Sequence, residues 1–282
     1  MKRIEFTKVV ASGNDFVVIR KSHMSTVTGL RPLVKNICDR KFGVGADGVL
    51  ILEKSKAADI KMRIFNADGS EAEMCGNGAR CTALYISRRP QAAGRRPKLQ
   101  IETKAGIIEA KITGDKARIK LTDPADYQPG IPIKINDREL KISSINTGVP
   151  HAIIFVEGIE NIDVSNLGRQ IRYYESFAPA GTNVDFVEVI NDMTIKARTY
   201  ERGVEDETLA CGTGAVAAAI VTVYACLPAR RGVRGTGYKN KINVITRGAE
   251  TLKVYFNREN DKITNVWLEG KVKIVYRGEY YV

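Results

Sequence analysis

A glycine-rich turn that carries a cysteine and runs straight into an apolar helix occurs twice in this chain, and the duplication constrains the fold more than any other feature. The first copy is Cys75-Gly-Asn-Gly-Ala79, which continues as a helix-like run to Ile86. The second is Cys211-Gly-Thr-Gly-Ala215, which continues to Ile220. The agreement extends upstream. Arg63-Ile-Phe-Asn66 precedes the first cysteine and Arg198-Thr-Tyr-Glu201 precedes the second, with one residue more between. Asn66 and Glu201 therefore read as equivalent positions. A half-chain repeat predicts two similar domains facing each other, and 282 residues suffice for two ordinary cores.

Alternating or continuous apolar runs predict strands at Ile4–Val10, Phe16–Ile19, Val49–Leu52, Lys61–Phe65, Leu99–Glu102, Ile107–Ile112 and Ala117–Leu121. Leu33–Cys38 reads as a helix after Pro32, 91–97 as a connector, and Thr122–Asp126 as the crossing between domains. The second half restates the theme. A strand and turn are expected over Ile142–His151, strands at Ala152–Val156, Thr182–Val189, Thr194–Tyr200, Lys241–Ile245, Thr251–Phe256 and Ile263–Leu268, and a helix over Val164–Tyr174. Val272–Tyr276 is the last strand and returns to the first domain. Strands around one apolar helix per half predict an α+β fold and not a βαβ repeat. The expected domains are 1–121 with 270–282, and 122–269.

The net charge of +12 comes from scattered basic residues, with small clusters at Arg88-Arg89, Arg95-Arg96 and Arg230-Arg231. No nucleic-acid signature accompanies them, so no nucleic-acid partner is expected. The loop Phe42–Gly48 lacks a Walker lysine, which argues against nucleotide. No apolar run reaches the length of a membrane span, and Met1–Phe6 lacks a signal-peptide core, so a cytoplasmic protein without a membrane partner is expected. Five cysteines with no C-x-x-C pair support neither zinc nor a disulfide framework. Cys38, Cys81 and Cys226 lie in helical patterns and read as buried small hydrophobes.

Cys75 and Cys211 are different. Each opens a helix among free N–H groups at the positive end of the macrodipole, an arrangement that lowers a thiol pKa. Two thiols at one carbon can bind a metal, form a redox pair or move a proton across the carbon. With only His23 and His151 as imidazoles, metal binding lacks ligands and no metal is expected. A redox pair leaves the glycine-rich turns unexplained. Proton exchange explains both, because the turns offer N–H donors to a carboxylate and to the charge that spreads into it as a carbanion forms.

Asn66–Arg80 and Glu201–Ala215 resemble the two signatures of diaminopimelate epimerase, and Gly13–Val18 resembles its N-terminal signature. The resemblance runs through nearly the whole chain. It implies two pseudo-symmetric domains, each a curled, mostly antiparallel, barrel-like sheet around a central helix, with the active site in the cleft between them. It implies a cofactor-independent interconversion of LL- and meso-diaminopimelate, for lysine and cell-wall synthesis, by a homodimer. Cys75 and Cys211 would be the acid–base pair, with His151 and Glu201 assisting. The backbone at Gly76-Asn77 and Gly212-Thr213 would cradle a carboxylate. Asn14, Asn66, Asn183, Glu201 and Arg202 would hold the substrate's amino and carboxylate groups. The chain departs from the pattern at Val149, often a substrate-binding Asn, and at Gly48, a Gln in some members. A related racemase acting on proline or hydroxyproline is the alternative within the enzyme class, although proline-type members usually carry His where this chain has Asn77. A thiol redox sensor is the alternative outside it.

Overall fold

A computed structural model describes residues 3–24, 29–88, 98–135, 137–226, 241–260 and 262–282, and at 226 the helix backbone alone. The expected connector 91–97, the side chain of Cys226 and the Arg95-Arg96 and Arg230-Arg231 clusters lie outside the described residues. The elements in order are β1 (Arg3–Ala11), β2 (Asn14–Arg20), α1 (Leu30–Cys38), β3 (Gly48–Glu53), β4 (Ile60–Asn66), β5 (Glu71–Ala72), α2 (Gly76–Ser87), β6 (Lys98–Thr103), β7 (Gly106–Thr113) and β8 (Lys116–Lys120). There follow β9 (Ala125–Ile135), β10 (Arg138–Asn146), β11 (Pro150–Phe155), α3 (Val164–Arg172), β12 (Asn183–Asn191), β13 (Thr194–Glu201), β14 (Asp206–Thr208), α4 (Gly212–Cys226), β15 (Lys241–Thr246), β16 (Thr251–Glu259), β17 (Lys262–Lys271) and β18 (Lys273–Tyr281).

The chain divides into two compact units, Met1–Lys120 with Glu269–Val282, and Leu121–Leu268. In the first, β18 pairs with β1, β1 with β2, β2 with β3, β3 with β4, β4 with β6, β6 with β7 and β7 with β8. Only β2/β3 and β4/β6 are parallel. The second unit repeats the order. There β9 pairs with β10, β10 with β11, β11 with β12, β12 with β13, β13 with β15 and β15 with β16, and again the parallel pairs are β11/β12 and β13/β15. The fold is α+β, a curled and mostly antiparallel sheet about a central helix, made twice.

The core explains why each sheet wraps a helix. Ala215 through Val221 are almost wholly buried, so α4 is apolar on every side and must lie inside a sheet. It packs against β10, β11, β12, β13, β15 and β16. In the first unit α2 packs against β1, β2, β4, β6, β7, β8 and β18. The outer face is covered too. Leu33, Val34 and Ile37 of α1 join Val17, Ile19, Val49 and Ile51 in one cluster, and Val164 and Ile171 of α3 join Ile154, Val184 and Phe186 in another. Strands covered on both faces read as continuous apolar runs, as Phe16–Ile19 and Val49–Leu52 do. Each Val, Leu or Ile so buried contributes about 1.5–3 kcal/mol.

The expected crossing at Thr122–Asp126 gives way to strand at Ala125, the start of β9. This strand carries Pro129 and Pro132 and pairs with β10 alone among the described residues. Proline is tolerated at such an edge because no second partner needs its missing N–H. The first domain's counterpart of β9 is β18, which comes from the far end of the chain.

One ion pair is duplicated with the fold. Arg63 on β4 grips Glu71 on β5 through two hydrogen bonds, Nε–Oε1 at 2.8 Å and a second at 3.0 Å. Arg198 on β13 grips Glu207 on β14 in the same way, at 2.6 and 2.7 Å. These paired contacts pin the short strands β5 and β14 just ahead of the two cysteines.

Candidate active site

Cys75 is the N-cap of α2, in extended conformation, and its sulfur accepts the Gly78 N–H at 3.5 Å. The Ala79 N–H donates to the Cys75 carbonyl at 2.9 Å, and the Ala215 N–H to the Cys211 carbonyl at the same distance. The Gly214 N–H faces the Cys211 sulfur as Gly78 faces Cys75. Both expected cysteine turns therefore form with one geometry.

Around Cys75, Asn77 donates to the Asn14 carboxamide oxygen, and Arg80 donates to Asn77 and, at 2.7 Å, to the Ser12 hydroxyl. Asn14 donates in turn to Asp47 at 3.2 Å. Asp15 and Asp47 exchange backbone N–H contacts, and Arg40 bridges them at 2.9 and 2.7 Å. Buried Lys8 lies 2.7 Å from Asp15. Burial opposes the Asp15 charge, but Arg40 and Lys8 outweigh it and hold the carboxyl well below its ordinary range. The structure thus joins Asn14, Asn77 and the α2 terminus. Asn66 ends β4, ahead of β5 and that terminus, and its amide donates to Ser70 at 3.0 Å. A Cβ at Gly48 would lie 2.5 Å from the Phe65 carbonyl, which accounts for glycine at that departure.

In the second unit His151, Thr213 and Cys211 form one chain of contacts. His151 Nδ1 is 2.6 Å from Asp185 Oδ2, and both side chains are fully buried. His151 Nε2 is 3.0 Å from the Thr213 hydroxyl, which is 3.4 Å from the Cys211 sulfur. Thr199 donates to the other Asp185 oxygen at 2.6 Å. Thr147 steadies the turn by donating to the Thr213 carbonyl at 3.1 Å. Asn183 donates to the Pro150 carbonyl at 3.1 Å and accepts the Arg202 backbone N–H at 2.8 Å. The Arg202 guanidinium rests on the carbonyls of Ala180 and Gly181 at 3.4 and 3.3 Å.

The thiol expectation needs a correction at Cys211. Burial pushes its pKa well above the ordinary value, and the Glu201 and Asp185 carboxylates push it further. The Thr213 and Gly214 contacts act the other way and are outweighed. The helix terminus does not outweigh burial together with two nearby carboxylates. Glu201 is itself raised, chiefly by burial, with Thr208 and His151 opposing. Cys81 is pushed up by full burial and Cys38 to about 11, consistent with packed, unreactive thiols.

Asp185 and Thr199 escape a reading of the sequence. Asp185 has the look of the polar half of an alternation within Asn183–Val189. The signal that finds it is the duplication carried into the strands. Register sets Val18 beside Leu50 and Leu50 opposite Ile64; it sets Ile153 beside Asp185 and Asp185 opposite Thr199. By the same register His151 occupies the place of Phe16.

Among the described residues no cluster of three or more His, Cys, Asp or Glu could hold a metal ion, and no helix is long and apolar enough to cross a membrane. The chain resembles in fold a Bacillus anthracis phenazine biosynthesis protein of the PhzF family, at TM-score 0.74 and 19% identity over 100% of both chains. It also resembles a hydroxyproline epimerase from Agrobacterium vitis, at TM-score 0.68 and 15% identity over 99% of this chain and 91% of that one. Its sequence relatives are nearer. Diaminopimelate epimerase from Aquifex aeolicus (strain VF5) is 40% identical over 98% of this chain and 97% of that protein. The Archaeoglobus fulgidus diaminopimelate epimerase is 40% identical over 93% of this chain and 92% of that protein. The family model for diaminopimelate epimerase matches residues 6–127 and 143–275, which take in both cysteine turns and the strands that carry them. With the duplicated turns, the fold and the full-length likeness in agreement, the chain belongs to the diaminopimelate epimerase family.

Proposed function

We propose that the protein interconverts LL- and meso-diaminopimelate, with Cys75 and Cys211 as the two acid–base groups. The observation that carries the reading is the paired construction of the cysteine turns, each with its sulfur beside the N–H of the third helical residue. One sulfur removes the α-proton and the other delivers a proton to the opposite face. The N–H groups at Gly76-Asn77 and Gly212-Thr213 receive the substrate carboxylate, where carbanion charge accumulates. Asn14, Asn66, Asn183, Glu201 and Arg202 bind the ammonium and carboxylate groups, which amide and guanidinium chemistry suits. His151 and Glu201 assist at Cys211. The reaction so written uses the protein's own groups and no cofactor. The family likeness further supports a cytoplasmic homodimer.

The test is incubation with LL-diaminopimelate in D₂O. Conversion to the meso isomer with one deuterium at the inverted α-carbon is expected. Deuterium entering proline or hydroxyproline, with none in diaminopimelate, would replace this reading with the racemase alternative.

A further inference from the structure

We propose that Thr213, His151 and Asp185 form a proton relay that converts Cys211 from thiol to thiolate on demand, with the Thr213 hydroxyl as its middle link. The proposal rests on reading Cys211 as an acid–base group and adds how that group changes state.

The direction of the relay follows from which groups can donate. The Asp185 carboxylate only accepts, and it already receives the Thr199 hydroxyl. His151 Nδ1 must then carry the proton in the 2.6 Å contact to Asp185. In the neutral imidazole this leaves Nε2 as an acceptor, and the Thr213 hydroxyl is the donor at 3.0 Å. A hydroxyl that spends its proton on Nε2 presents oxygen lone pairs to its other neighbour, the Cys211 sulfur at 3.4 Å. The chain therefore runs Cys211 S–H to Thr213 O–H to His151 Nε2, with Asp185 fixing the ring. Other ionisable groups facing this line are Glu201 and, at its ends, Asp185 and Cys211 themselves.

One concerted step moves the sulfur proton to Thr213 Oγ while the Thr213 proton moves to Nε2. The products are a thiolate and an imidazolium paired with the Asp185 carboxylate. The thiolate then takes the substrate α-proton and Cys75 gives one, leaving Cys211 as thiol, Cys75 as thiolate and His151 still charged. Passage of the imidazolium proton to Cys75 through solvent, after product leaves, restores the starting state. No proton is gained or lost over the cycle. Gly214 makes room for this line, because a Cβ there would lie 2.3 Å from Asp185 Oδ1.

Two measurements on the full chain test the relay. The protein has two histidines, so ¹⁵N spectra of His151 are assigned by comparison with His23→Gln, a residue outside the site. Neutral His151 is expected with its proton on Nδ1, and Asp185→Asn is expected to move it to Nε2. A wild-type ring protonated on Nε2 would overturn the relay, whatever reaction the protein catalyses. The second measurement is turnover of diaminopimelate. Thr213→Val should lower kcat about 10²-fold, the lower bound for general acid–base catalysis, with KM within about twofold. Thr213→Ser should recover most of it, which a packing role for the threonine methyl would not allow. Thr213→Val with wild-type kcat would remove the middle link. Absence of turnover by the unaltered protein would sink the proposed reaction and leave the spectroscopic result to decide the relay.

Discussion

The two cysteine turns share a backbone and differ in what stands behind it. A Cβ at Gly78 would meet Leu50 at 3.1 Å, Ile64 at 3.2 Å and the Cys75 Cβ at 3.6 Å. A Cβ at Gly214 would meet Asp185 at 2.3 Å, Thr199 at 3.1 Å and the Cys211 Cβ at 3.2 Å. The equivalent triads are Phe16, Leu50 and Ile64 in the first unit and His151, Asp185 and Thr199 in the second. A duplicated scaffold thus backs the third helical glycine of one turn with hydrocarbon and that of the other with a buried polar network. The helix terminus, common to both, is insufficient to set thiol chemistry; the side chains behind it decide how the proton is held.

The strongest test of the comparison removes each sulfur in turn. Cys75→Ala and Cys211→Ala should each cost about 10²–10⁴-fold in kcat, while Cys81→Ala should keep most activity. Full turnover by either of the first two variants would mean the halves are not complementary. Next in size is the polar network. Asp185→Leu alone leaves His151 buried with an unmet donor and should destabilise by about 3 kcal/mol. Grafting the first unit's triad, as His151→Phe, Asp185→Leu and Thr199→Ile together, should return stability to within about 1–2 kcal/mol of the parent and leave the enzyme impaired. Denaturant unfolding of both variants reads this difference, and equal losses would break the equivalence of the two triads.

Acid unfolding probes the duplicated ion pairs. The Arg63 guanidinium, against the opposing cost of burial and with help from Lys104, draws the Glu71 pKa down to about 2 from its ordinary value of 4.5. A depressed carboxyl contributes stability that is complete above about pH 4.5 and lost as pH falls toward 2. The contribution is at most about 3.5 kcal/mol, from a fall of about 2.5 in pKa at about 1.4 kcal/mol each, and solvent screening reduces it. Glu71→Gln should flatten the stability profile in that window; an unchanged slope would show the clamp contributes nothing there. The smallest expected effect contrasts the glycines. Gly214→Ala should cost about 2–3 kcal/mol and Gly78→Ala about 1 kcal/mol, because the flexible tips of Leu50 and Ile64 yield where the tethered Asp185 oxygen does not. Equal shifts in melting temperature would erase the distinction.

The sequence makes the repeat, the central helices and the covered strands legible because each is written in local patterns. Phe16–Ile19 and Val49–Leu52 are uninterrupted apolar runs, and α4 is apolar throughout. What stays hidden depends on partners far along the chain. β5 and β14 span two and three residues and exist through the Arg63 and Arg198 clamps rather than through any periodicity. β9 carries prolines that argue against strand unless its edge position is known. Asn14, Asn77, His151 and Thr213 are legible from motifs, whereas Asp185 and Thr199 require strand register to bring them to the same helix terminus. The thiol shift at Cys211 runs against expectation because a dipole can be read from sequence and the surrounding desolvation cannot.

The return of β18 to β1 gives the protein an order of assembly during synthesis. Arg3 pairs with Tyr281 at one end of these strands, and the pairing continues to Val10 opposite Lys273 at the other. The second unit is continuous from Leu121 to Leu268, so all of it is synthesised between β1 and β18. At about 5–20 residues per second, β1 therefore waits on the order of tens of seconds for its partner. Through that interval it shows an open edge of unpaired N–H and C=O groups, the kind that recruits foreign strands. The unit begun before the other is completed after it, and the open edge of β1 is where the nascent chain is most exposed to misassembly.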